Sequence, residues 1–162
     1  MADLREQTCC FAGHWAFPPE VRMTVRSKAE KVIKNLYDRG VVYYGCGGAT
    51  GFDTLMAQVC FGLRDSGMYP QMKVILVYPF DGFTKRWSLE QQKTFKVLLK
   101  RYDKVVCFSE KPDFYAHLAR NKRLVDGSAF CIAYCAEQDG GTAYTVEYAQ
   151  KKGLEVINLA EV

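Results

Sequence analysis

Short apolar runs rich in β-branched and aromatic residues alternate with stretches of helical periodicity along the whole sequence. That alternation requires a parallel α/β sheet, because each parallel strand needs a crossover helix before the next. Residues 8–12, 41–46, 73–78, 104–109, 130–135 and 155–159 read as strands. Nearly all are continuously apolar, the pattern of strands covered on both faces. Between them, Val25, Ala29, Val32, Ile33, Leu36 and Tyr37 form one apolar stripe, with Gly40 placed as a left-handed stop. Met56, Val59, Cys60 and Leu63 mark a second helix ending near Gly67, and Ser88 with Gln91 reads as a capping box opening a third. In that third helix Phe95, Leu98, Leu99 and Tyr102 are expected to face inward. A fourth helix is expected over about 114–126 and a fifth over 142–152, with Gly153 as its stop. The 162 residues suit one doubly wound domain with no repeats or linkers, large enough to bury a core without disulfide or metal staples.

No apolar run approaches the ~20 residues of a membrane helix, and residues 1–7 lack the apolar centre of a signal peptide, so a cytoplasmic protein is expected. The seven cysteines are an odd number with no CxxC pair, and Cys9, Cys10, Cys107, Cys131 and Cys135 fall in strand-like runs, which predicts buried free thiols. A net charge of +4 spread along the chain argues against nucleic acid as the partner and suits a small anion equally well. No His, Cys or carboxylate set has metal-ligand spacing, and no metal or required cofactor is expected. A GxSxG elbow, a Walker A lysine motif and a GxGxxG fingerprint are all missing.

In an open parallel sheet ligands bind beyond the carboxyl ends of the strands. Those positions hold Gly13, His14 and Trp15; then Gly47, Gly48, Ala49, Thr50, Gly51 and Asp53; then Pro79 and Phe80; then Asp139, Gly140, Gly141 and Thr142. Two of the four sets are glycine-rich and run directly into helices, an arrangement that lets a phosphate approach backbone N–H groups at a positive helix end. Asp53 can cap its helix or meet a ribose hydroxyl, and Thr142 can cap its own or donate to a phosphate. His14 sits at the expected rim of the cleft, as a structural residue or a base. Arg120, beside Asn121, reaches a phosphate if its helix flanks the cleft. Trp15 and Trp87 follow strand-end loops and are placed to stack on a base or wall the pocket.

The ordered motifs CCFAGHW, GCGGATGFD, VYPF followed by Trp87, RNKRLVDGSAFCIAYC and GGTAYTVEYA resemble the YpsA-like proteins of the SLOG superfamily, over residues 8–159. That superfamily also contains LOG-type nucleotide phosphoribohydrolases and the DNA-processing protein DprA. The resemblance implies a Rossmann-like, three-layer α/β/α fold with a mostly parallel sheet of about six strands, binding a nucleotide or an ADP-ribose-like ligand as a sensor or regulatory module. Small domains of this build often pair, and the resemblance is compatible with a homodimer. The first family motif usually reads G-H-R, and Trp15 replaces its arginine. LOG-type enzymes carry a glutamate three residues after the loop threonine, where this chain has Thr145; Glu147 lies roughly 200° further round the helix. Binding is therefore expected ahead of catalysis, with N-glycosidic hydrolysis or ribosyl transfer through Arg120, Glu147 or Asp53 as the alternative and DprA-like single-stranded DNA binding as a third reading.

Overall fold

The computed structural model describes residues 3–16, 18–113 and 115–161. The strands are β1 (Thr8–Gly13), β2 (Tyr43–Cys46), β3 (Lys73–Phe80), β4 (Lys104–Ser109), β5 (Phe130–Tyr134) and β6 (Glu155–Asn158). The helices are α1 (Pro19–Asp38), α2 (Phe52–Asp65), α3 (Leu89–Leu99), α4 (Ala116–Asp126) and α5 (Gly141–Lys151). All strands are parallel, in the order β4-β3-β2-β1-β5-β6. Residue 114, where the sequence places the start of the fourth helix, lies outside the described residues. Among the described residues no helix is long and apolar enough to cross a membrane.

The strand and helix ends follow from local chemistry. The N–H of Gly40 bonds the carbonyl of Tyr37 and that of Val41 bonds Leu36, closing α1 in a Schellman motif with Gly40 at φ 94°. Val41 is thereby committed to the helix stop, so β2 begins two residues later than the apolar run. Ser88 and Gln91 exchange both hydrogen bonds of the expected capping box. At the other end of the sheet β3 runs on to Phe80, which pairs with Ser109 of β4.

One face of the sheet buries Val25, Ile33, Leu36, Phe52, Leu55, Met56 and Phe61 beneath α1 and α2, with Leu98 of α3 at the margin. The other face packs Cys10, Ala12, Val77 and Cys131 against Leu124 and Val125 of α4 and Ala149 of α5. This is the three-layer arrangement. Two expectations fail at its open edge. Leu99 is 36% exposed, because α3 lies at the border of its layer, and Cys107 is exposed on β4, the edge strand. Cys135, just after β5, is half-buried.

Candidate functional site

From β1 the chain winds outward through β2, β3 and β4 and then returns to place β5 on the other side of β1, so the strand order reverses between β1 and β5. Connections leave in opposite directions there, and a crevice opens beyond the strand ends. It holds a cavity of about 480 Å³. Gly13, His14 and Trp15 line it after β1, Ala49, Thr50 and Asp53 after β2, Trp87 before α3, Arg120 and Asn121 on α4, and Gly140, Gly141 and Thr142 at the start of α5.

Two loops at this crevice are packed against each other. The carbonyl of His14 accepts from the N–H of Phe52 at 3.0 Å, and that of Trp15 accepts from the Thr50 hydroxyl at 3.1 Å. A Cβ on Gly51, which has φ 73°, would lie 2.4 Å from the Trp15 carbonyl group. The glycine is there for loop–loop contact. Gly47, Gly48 and Gly51 accordingly do not line the cavity, contrary to the phosphate-cradle expectation. The Gly47 carbonyl points at Arg120, and Gly48 faces Leu76 and Phe95. The helix start that this loop feeds has its first donor taken from within: the first N–H of α2 goes to His14, and Gly51 holds the N-cap position. Asp53 is therefore not a cap. It lies two residues further in, and its Oδ2 accepts from the N–H of Ala49 at 3.2 Å.

Arg120 is 3% exposed. Its Nη1 donates to the carbonyls of Gly47 and Val77, and its Nε donates to Asn121 Oδ1 at 2.8 Å. Among the described residues Nη2 finds no hydrogen-bond partner. Among the described residues no fully buried side-chain nitrogen or oxygen lacks a partner, so Nη2 is the part of the guanidinium that opens to the cavity. Across Gly47 stands Asp53, whose pKa burial pushes up to about 6 against the opposing pull of the Arg120 charge and the Ala49 N–H. Burial in turn lowers the pKa of Arg120, and the Asp53 charge opposes that. His117, also in the lining, is held below its ordinary pKa by desolvation and by Arg120.

The start of α5 contrasts with that of α2. Gly140 is its N-cap at φ 104° with no side-chain cap, and the first intrahelical bond runs from Tyr144 N–H to Gly140. The N–H groups of Gly141, Thr142 and Ala143 have no helical partner, and the Thr142 hydroxyl makes no hydrogen bond among the described residues. Thr145, 3% exposed, is fully committed: its Oγ1 donates to the Gly141 carbonyl at 2.9 Å and accepts from Asn121 Nδ2 at 3.2 Å. Arg120, Asn121, Thr145 and Gly141 thus form one hydrogen-bonded chain from α4 to α5. His14 joins the remaining loops, its Nε2 accepting from the N–H of Ala136 at 3.1 Å, which leaves the ring proton on Nδ1.

Three expected site residues are elsewhere. Glu147 is exposed, paired with Lys151 at 3.1 Å on the outside of α5, and does not line the cavity. Pro79 and Phe80 belong to β3 and lie outside the cavity lining, because the strand outlasts its apolar run; Phe80 packs edge-on against His117 with ring centroids 5.7 Å apart. Trp15 and Trp87 are at the site, the first 75% exposed at the rim and the second packed edge-on against Phe83 at 5.3 Å. The sequence reading missed Phe83 and Glu137 and gave Asp139 no role, although all three line the cavity. The position of Glu137 and Asp139 directly after β5 was the available signal. With Asp53 they set three carboxylates against one guanidinium in the lining, so the donors that face the cavity are Nη2 and the α5 start rather than a cationic surround. Among the described residues no three His, Cys, Asp or Glu side chains are grouped to hold a metal ion.

A family model described as the YspA SLOG family matches residues 19–158. Curated relatives include a UPF0398 protein of Shouchella clausii, 25% identical across 78% of this chain and 68% of its own. The UPF0398 protein YpsA of Bacillus subtilis is 24% identical across 76% and 71%. Among solved structures, DNA processing protein A of Streptococcus pneumoniae superposes with a TM-score of 0.66 at 19% identity, over 92% of this chain. The protein of the same name from Helicobacter pylori, described with a single-stranded DNA binding mode, gives 0.64 at 19% identity, over 94% of this chain. This chain spans 48% and 64% of those two proteins, and the likeness shows a shared fold.

Proposed function

Since this chain belongs to the YspA SLOG family, we propose that its Rossmann-like fold binds a nucleotide or nucleotide-derived ligand, ADP-ribose-like in kind, and serves as a sensor or regulatory module. The observation that carries this reading is the meeting of two unfilled donors in one cavity: Nη2 of the buried Arg120 and the uncapped start of α5. A phosphate oxygen accepts from the N–H groups of residues 141–143 and the Thr142 hydroxyl, with Arg120 as its counter-charge. Trp87 and Phe83 offer ring faces to a base, and Asp53, Glu137 and Asp139 offer acceptors to ribose hydroxyls.

Binding is favoured over hydrolysis because Thr145 stands where LOG-type enzymes carry a carboxylate, and its hydroxyl is already bonded on both sides. Isothermal calorimetry with ADP-ribose, NAD and AMP tests the proposal. Heats from at least one are expected, and silence from all three at millimolar concentration overturns it.

Single-stranded DNA on the same face is a second reading, favoured by the Helicobacter pylori neighbour and by the exposed Trp15 ring at the cavity rim. It predicts oligonucleotide binding that weakens steeply with salt. A fluorescence anisotropy series at rising salt separates it from small-ligand binding.

A further inference from the structure

Trp87 and Thr50 have two sides. Besides lining the main cavity they wall a second hollow of about 270 Å³, set among α1, α2 and α3. The two hollows therefore share these residues as a common border. Their chemistry differs. In the second, Arg22 and Glu90 offset one another in charge, and the remaining polar lining consists of hydroxyls and amides. Gln58 Oε1 accepts from Arg22 Nη2 at 3.0 Å, which leaves the Gln58 amide N–H groups as donors, and among the described residues the Thr94 hydroxyl makes no hydrogen bond. A phosphate gains little from a charge-balanced wall. A neutral group dense in hydroxyl, amide or ring-nitrogen atoms gains hydrogen bonds from Gln58 and Thr94 and a ring face from Trp87.

We infer that the ligand is bipartite: its nucleotide half lies in the main cavity, and a neutral terminal ribosyl half extends past Thr50 and Trp87 into the second hollow. This rests on the reading of the main cavity as a nucleotide site. Calorimetry on the full 162-residue chain with AMP and ADP-ribose as probes tests it. The wild-type protein is expected to bind ADP-ribose at least tenfold more tightly than AMP. Thr94→Trp, which fills the second hollow, is expected to bring ADP-ribose to the affinity of AMP and leave AMP unchanged. Gln58→Ala, a milder change, is expected to weaken ADP-ribose several-fold and AMP not at all, and it keeps the test valid if Thr94→Trp unfolds. Equal affinity of the two probes in the wild type, or equal losses of both in the variants, overturns the bipartite ligand while leaving the nucleotide site standing. Failure of AMP and ADP-ribose alike removes both.

Discussion

Arg120 and Asp53 face one another across the backbone of Gly47 without a hydrogen bond between them. Each instead holds main chain, Arg120 at the carbonyls of Gly47 and Val77 and Asp53 at the N–H of Ala49. A Cβ placed on Gly47 would come within 2.8 Å of Arg120 Cζ and 2.9 Å of Asp53 Oδ2, so only hydrogen fits between the charges. The pair thereby fixes the β2–α2 loop and keeps one donor and one acceptor turned to the cavity.

Arg120→Met is expected to destabilise the protein by about 3–5 kcal/mol, because it strips two buried carbonyls of their donor and leaves Asp53 without its counter-charge. Urea denaturation measures this. A loss below about 1 kcal/mol would mean that the loop does not depend on the guanidinium.

The pKa of Asp53, about 6 against an ordinary 3.8, means that the folded protein binds this proton more tightly than the unfolded chain does. Its contribution to stability is therefore fully present below about pH 4 and is lost as pH rises through 6, by roughly 2–3 kcal/mol. Asp53→Asn removes that dependence. The difference in unfolding free energy between wild type and variant, followed from pH 4 to 7, should change by this amount; a constant difference would contradict the buried acid.

Glu147→Gln is expected to leave nucleotide affinity and any release of free base unchanged, since Glu147 lies outside the cavity and pairs with Lys151. If base release is detected by mass spectrometry, Asp53→Asn should abolish it, as Asp53 is the only buried carboxylate among the described residues that line the cavity. Loss of activity in Glu147→Gln would refute this assignment.

Gly51→Ala and Gly140→Ala separate crowding from backbone strain. Both glycines have positive φ, but a Cβ at residue 51 meets the Trp15 backbone at 2.4 Å, whereas one at residue 140 meets nothing within 4 Å. The first is expected to cost about 3 kcal/mol or more and the second about 1 kcal/mol, in urea or thermal melts. Equal costs would count against the loop contact.

The sequence makes the sheet legible because each parallel strand is an uninterrupted apolar run and each crossover helix carries its own stop, such as Gly40. Its strand ends were less visible: Val41 is claimed by a helix cap and Phe80 by pairing with Ser109, both tertiary matters. In the site, His14, Arg120, Asn121 and the α5 loop follow from their place after strands or on the flanking helix. The roles of Gly47, Gly48 and Gly51 did not, because a glycine that admits a neighbouring loop and one that admits a phosphate look the same in sequence. Counting along α5 already sets Glu147 roughly 200° from Thr145, and because Thr145 turns inward Glu147 drops out as the alternative carboxylate.

The reversal of strand order between β1 and β5 makes their ladder a seam in the sheet, with β1 to β4 on one side and β5 and β6 on the other. The cavity draws its walls from both. Whatever occupies it is a splint across that seam, so occupancy should register as slowed hydrogen exchange in the β1 and β5 amides, in parts of the backbone that the ligand never touches.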